Sequence, residues 1–381
     1  MATVVTEGLL RELAGFRAAN GCAVSLYFDF DPSETPTVPA EKTKFHARLV
    51  EWERAADERA RERGRSCKLA LRADFERIAE WGEEDFDRDG ARSLAIFASS
   101  ADGYFRIVPL VESVSDTWDV GPELDVSPLV GQLGRGNGAL VAVVSREQGR
   151  VYRLENGRLE EVADETEEVH GQHDQGGWSQ ARYQRHIETL VQRHLKAVGE
   201  EIDRTVHNGH LRIVVVGPEE MRPEFEAALS KEARQAVLGW VTADQHSAPT
   251  ELLAAVRPVL DEARARNDEA LLERWRAREG RGDPASTGWA ETLEAASDAR
   301  VDTLFLEERA EHPAFVCPKD GRALAEDGEC PLDGTRLERR DDGANVAVHR
   351  VVEHGGRVVL VGEGALGPTK VVGGIAALLR F

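Results

Sequence analysis

A chain of 381 residues with 41% hydrophobic content is long enough to bury two or three separate cores. Its formal charge of −21 excludes nucleic-acid binding through the general surface, because phosphate contacts need clustered Lys and Arg, so any RNA contact has to be local. No stretch approaches the roughly 20 apolar residues that span a bilayer, the acidic amphipathic start lacks a basic leader, and four scattered cysteines make no disulfide framework; the expectation is a cytoplasmic globular protein with no membrane partner.

The chain opens with a helix whose Leu9, Leu10, Leu13 and Phe16 share one face, and Asn20-Gly21 ends it before the strand CAVSLYFDF. After a loop from Pro32 to Pro39, Phe45, Leu49, Trp52 and Ala56 recur at helical spacing, so Glu41 to about Trp81 reads as two helices. SLAIFASSADGYFRIVPLVE is a hairpin turning at Asp102-Gly103. Cys22 and Cys67 read as core thiols, and residues 1–130 as an N-terminal α/β domain without a catalytic constellation.

A central α/β domain, 131–279, begins with the glycine-rich GRGNG and the buried strand ALVAVVS, followed by the hairpin RVYRLENGRLEEV with Asn156-Gly157 at its tip. Then come an acidic and glycine-containing loop, a helix of about 25 residues, the strand LRIVVVG, a helix from Pro223 to Leu238, a short strand at 239–242, and a long charged helix from Pro249 to Arg278. EGRGDPASTG, residues 279–288, has the composition of a linker. The C-terminal domain, 280–381, holds a helix at Ala290–Ala299 and the strand VDTLFLEE; VVEHGGRVVLVGEG and GGIAALLRF read as two further strands. A cysteine-containing insertion at 313–340 interrupts it.

By composition alone the loop before the long central helix faces a ligand, since 164–177 is too polar to pack on itself and must project. Gly176 and Gly177 allow close backbone approach, and amides beyond them at a helix start can face an anion. Behind them Tyr183, Ile187, Leu190, Val191, Leu195, Val198 and Ile202 form one apolar stripe, while Arg182, Arg185, Arg193 and Lys196 form a basic one suited to a phosphate backbone. A flexible loop capped by Ser179, with solvated charges behind it, is the bland alternative. The insertion repeats Cys-Pro-x-Asp-Gly, so Cys317, Asp320, Cys330 and Asp333 fall at the spacing of a zinc ribbon with Asp at each second ligand position. Gly362, Gly364 and Gly367 imitate a dinucleotide-binding motif, but Pro368 stands where its helix would start and too little chain remains. Gly177-Trp178-Ser179-Gln180-Ala181 imitates a nucleophile elbow with Asp244 and His246 downstream, which keeps a Ser179-dependent small-molecule hydrolase as a different-class reading.

GGWSQARYQRH resembles the loop tip and following helix of the archaeal and eukaryotic class-I peptide chain release factors, with Gly176, Gly177, Ser179, Arg182, Tyr183 and Arg185 at matching positions. GGIAALLRF is similar to the closing segment of the same superfamily, and the likeness points to a divergent bacterial branch. The resemblance implies a three-domain, release-factor-like α/β architecture with a small zinc-ribbon-like insertion in the third domain. It implies a ribosome-associated factor whose partners are ribosomal RNA, peptidyl-tRNA and a translational GTPase. Peptidyl-tRNA hydrolysis or ribosome rescue would be carried by Gly176, Gly177, Trp178, Ser179 and Gln180. Trp178 stands where the superfamily has the water-placing glutamine, so a non-catalytic, ribosome-occupying factor is the alternative.

Overall fold

The computed structural model describes residues 3–30, 37–63, 65–87, 90–146, 149–164, 179–206, 212–244, 246–367 and 373–381, without the side chains of 60–63, 65, 179–188, 190 and 206. The chain divides into two compact units, one made of residues 1–135 with 268–381 and the other of 136–267. It is a mixed α/β protein with four sheets among the described residues. No helix among the described residues is long and apolar enough to cross a membrane.

The first unit begins with α1 (Glu7–Ala14), capped by the Thr6 hydroxyl accepting from Leu9 N–H at 3.1 Å. It continues through β1 (Ala23–Asp29), α2 (Val38–Arg63), α3 (Arg65–Glu84), β2 (Ser93–Ser99), β3 (Tyr104–Leu110), β4 (Thr117–Gly121) and the single turn α4 (Ser127–Val130). The strands form an antiparallel sheet in the order β3-β2-β1-β4. Because strand side chains alternate, β1 feeds two cores. Val24, Leu26 and Phe28 pack against Phe45, Trp52, Phe75 and Ile78 of α2 and α3. Ala23 and Tyr27 point the other way, into a core shared with α1 and the C-terminal segment. The strand β4 was not anticipated: TWDVG is short, and its Asp and terminal Gly hide the alternation.

Cys22 and Cys67 are bonded to each other rather than free, tying the entry to β1 to α3 across 45 residues. Each had read as a lone core thiol because only the packing of α3 on the sheet brings the two sulfurs together; both are buried.

In the second unit, β5 (Ala139–Val144), β6 (Gly149–Glu155) and β7 (Arg158–Asp164) form an antiparallel meander, with Asn156 and Gly157 at φ 49° and 72° in the hairpin tip. After α5 (Ser179–Val206), β8 (Arg212–Val216) joins β5 in parallel. The segment expected as one helix from Pro223 to Leu238 is two, α6 (Arg222–Ala228) and α7 (Lys231–Ala236), because Leu229 is extended and Ser230 caps a new start. Strand β9 (Val237–Val241) begins immediately and completes the order β7-β6-β5-β8-β9. Leu140, Ala142 and Val144 face α5 to α7, whereas Val141 and Val143 face Leu252 and Val256 at the start of α8 (Pro249–Glu279).

The remainder of the first unit contains β10 (Ala285–Thr287), α9 (Trp289–Ser297), β11 (Val301–Glu307), β12 (Ala314–Val316), β13 (Ala323–Leu324), β14 (Glu338–Arg340), α10 (Gly343–Glu353), β15 (Arg357–Val361) and β16 (Ile375–Leu379). Its main sheet runs β10-β16-β11-β15, and the insertion forms a separate sheet, β13-β12-β14. The expected linker at 279–288 is structured at its end, since Ala285–Thr287 adds to β16 and Ser286 is buried. The VVE expected to open a strand instead closes α10, and Gly355-Gly356 make the turn into β15. Residues 362–367 form turns, with Gly367 N–H donating to Gly364 O, so the apparent dinucleotide motif starts no helix.

In a chain-entropy account, a cross-link closing 45 residues stabilises by roughly 4 kcal/mol. Reduction, or Cys22→Ala with Cys67→Ala, is expected to lower the thermal midpoint of the first unit by several degrees while leaving the second unchanged, as differential scanning calorimetry of oxidised and reduced protein would show.

Candidate functional site

Gly176, Gly177 and Trp178 lie outside the described residues, as do His170 and His173. They fall between Asp164, the last residue of β7, and Ser179, the first of α5. Ser179, Gln180, Arg182 and Arg185 therefore occupy the first two turns of a 28-residue helix, with their side chains outside the description. Further along, Val191, Leu195, Val198 and Ile202 are buried against β5, β8 and α6, which anchors the helix. Arg193 and Lys196 are exposed and three residues apart, hence on one face. Lys196 is only loosely held by Glu200 at 3.8 Å. Asp244, the acid of the hydrolase reading, accepts the His246 backbone N–H at 2.9 Å, an Asx turn rather than a contact that orients an imidazole.

The cysteine repeat folds as the same turn twice. Cys317 O accepts from Gly321 N–H at 2.9 Å and Cys330 O from Gly334 N–H at 2.8 Å; the N–H groups of both cysteines donate to the residue five positions on, Arg322 and Thr335, at 2.8 Å. Asp320 and Asp333 each accept the N–H two residues later at 2.9 Å. The two aspartates then diverge. Asp320 turns Oδ2 toward the Cys330 thiol at 3.4 Å, and the ligand atoms of Cys317, Asp320 and Cys330 lie within 4.8 Å of one another. Asp333 takes the Thr335 hydroxyl at 2.9 Å and Lys319 at 3.3 Å, and it stands outside that group. The Thr335 N–H and hydroxyl, with Lys319, hold its carboxyl down to about 2. Burial pushes the Cys330 thiol up, the direction a nearby cation would reverse. Two thiols and one carboxylate suit a borderline-soft divalent ion, with the fourth position supplied from outside.

The GGIAALLRF motif is structural. Gly373 and Gly374 have φ of 67° and 76°, and a Cβ on Gly373 would meet Trp289 Cδ1 at 2.7 Å. Trp289 Nε1 donates to Gly373 O at 2.7 Å, and Ile375–Leu379 is the buried strand β16, flanked by β10 and β11.

Residues 125–267 match the model of bacterial archaeo-eukaryotic release factor family 10. The chain is also 29% identical over 263 residues to peptide chain release factor subunit 1 of Archaeoglobus fulgidus, an alignment that covers 63% of this chain and 64% of the relative. By these two matches the chain is similar to the release-factor superfamily, as a divergent relative of it. It thus spans a little under two thirds of that archaeal relative. A second relative, peptide chain release factor subunit 1 of Aeropyrum pernix, is 36% identical over 90 residues, 22% of this chain and 24% of the relative. The match to a crystal structure of Archaeoglobus fulgidus Pelota covers 78% of this chain and 82% of that one at 15% identity, with a TM-score of 0.34. The matched family segment, 125–267, contains the whole of the second unit, 136–267, and with it positions 176–178 and α5.

Sequence reasoning missed one carboxylate in the first unit. Asp125 is 7% exposed and raised to about 7, first by burial and then by Asp342 and Asp119; the N–H and hydroxyl of Ser127, both donating to Oδ1, oppose the shift. Its only local signal was a polar residue in the apolar run ELDVSPLV. In the unfolded chain it titrates near its ordinary value of about 4. A raised folded value means stability that is full below about pH 4 and lost as pH climbs to about 7. Asp125→Asn is therefore expected to melt a few degrees above the parent at pH 8, with the gap narrowing as the pH is lowered through 5 toward 4, as read by circular dichroism.

Proposed function

We propose that this chain is a release-factor-like translation factor that acts on the ribosome and brings the Gly176-Gly177-Trp178 segment to the peptidyl-transferase centre. The observation that carries the reading is the family match over 125–267, which includes this segment and the helix behind it. In this reading Arg193 and Lys196 contact ribosomal RNA phosphates from the solvent side of α5, opposite the buried stripe, and Arg182 and Arg185 add to them earlier in the helix. Peptide release would need the amides around Gly177 to polarise the ester and Gln180 or Ser179 to order a water. Trp178 in the glutamine position favours a second reading, occupancy of the site without hydrolysis.

Purified ribosomes carrying peptidyl-tRNA test both. The chain is expected to cosediment at low salt, and Arg193→Glu with Lys196→Glu to weaken binding by about tenfold or more and flatten its salt dependence. Absence of cosedimentation would sink the ribosomal reading. Peptide release abolished by Gly177→Val with binding kept would assign catalysis to the loop, and binding without release would assign occupancy.

We propose also that Cys317, Asp320 and Cys330 hold a structural zinc ion that fixes the insertion. Protein purified without chelator should carry close to one zinc per chain by mass spectrometry of the metal, and Cys330→Ser should lose it. A zinc-free preparation that keeps its melting profile on zinc addition would count against the site.

A further inference from the structure

The first unit contains a groove of about 1160 Å³ that the translation-factor reading does not use. That is larger than a pocket for a small ligand. One wall is β4 with the chain that follows it. This strand is the edge of its sheet, and among the described residues, 117–121 make backbone ladder bonds to β1 alone, which leaves its outer N–H and C=O groups facing the groove side. Such an edge is a template for another strand. At about 3.4 Å per residue, its five residues offer roughly 17 Å of pairing. The facing wall is the segment after β11 and the corner between β14 and α10.

The groove is acidic, and part of its charge is uncompensated. Glu123 is partnered by Arg17 and Arg350, and Asp341 by Arg339. Among the described residues, Asp125, Glu308, Glu311 and Asp342 form no ion pair with Lys or Arg, and Arg309 forms none with a carboxylate. Asp125 is the telling member. It is more than nine-tenths buried at the groove wall, where Oδ1 accepts from both the N–H and the hydroxyl of Ser127. Burying a carboxylate beside Asp119 and Asp342 without a cation is unfavourable. These carboxylates do not converge on a point, since the one group of ligand atoms near enough for a single ion among the described residues is the cysteine cluster. The complement is a row of cations, and the chain shows how one seats: Arg59 lies 4.6 Å above the Trp118 ring and pairs with Asp119 at 3.1 Å.

We propose that this groove binds an extended arginine- or lysine-rich segment of a partner polypeptide, which adds as a strand to β4 and places its basic side chains on Asp125, Asp342 and the Glu308–Glu311 wall. Backbone pairing supplies affinity and the carboxylates supply selection. The inference does not depend on the ribosomal reading.

The probe is a labelled nine-residue peptide of alternating Arg and Val, followed by fluorescence anisotropy at about 0.15 M salt, where diffuse attraction to the acidic surface is screened. Saturable binding is expected, as is slowed hydrogen exchange at 117–121. Asp125→Asn with Asp342→Asn should weaken binding at least tenfold or so. Glu224→Gln with Glu232→Gln, the same charge change at exposed positions of the other unit, should leave it unaltered. No binding, or equal loss in both double variants, overturns the proposal. So does peptide binding that leaves exchange in β4 unaltered, or spermine displacing the peptide at equal concentration, because the groove would then take any polycation. Exchange is read on the unsubstituted protein, so the test survives misfolding of a variant.

Discussion

The first unit depends on one set of hydrogen bonds, those by which α10 holds the backbone of the N-terminal segment. His349 places Nδ1 3.0 Å from Ala14 O and Nε2 2.6 Å from Leu124 O, while Asn345 accepts from Val126 N–H at 3.2 Å. Leu124 and Val126 are fully buried, and there an unmade backbone hydrogen bond costs about 1–3 kcal/mol. With them satisfied, α1 and the inner face of the first sheet can share a core with α9, α10 and β11. Residues more than two hundred positions apart thus fold as one body, and the groove beside β4 exists because this joint fixes both of its walls.

The same helix steadies the insertion. Arg350 pairs with Glu353 at 2.9 Å and Glu123 at 3.7 Å, and it leaves no room for a Cβ at Gly321, the glycine that closes the first cysteine turn. Around Cys317, Cys330 and Leu337 there is only a small apolar cluster, so the insertion has little core of its own. Its stability comes from repeated turn hydrogen bonds and from this contact, and a bound ion would add to both.

In the second unit, the sheet buries both faces, and β5 reads as an unbroken apolar run for that reason. The helix α5 is fixed by a stripe at 191–202, and its exposed face carries Arg193 and Lys196. Two exposed basic side chains on an acidic protein are thereby attached to a rigid element, whose first residue, Ser179, follows Gly176-Gly177-Trp178 in the sequence.

Periodicity alone located most strands and helices, because a period of two or of 3.6 is written into neighbouring residues: CAVSLYFDF, ALVAVVS and the stripe of α5 needed no tertiary information. Asn156-Gly157 likewise specified its own turn through backbone sterics. The superfamily likeness was also present in the order of residues, since Gly-Gly and its following arginines are local. What depends on distant partners could not be read that way. Pairing of Cys22 with Cys67, the strand at 285–287 that completes itself on β16, the divergence of Asp333 from Asp320, and the burial of Asp125 are each decided by which segments meet. Hydrogen bonds, desolvation and disulfides act through space, and only the folded chain brings their partners within reach.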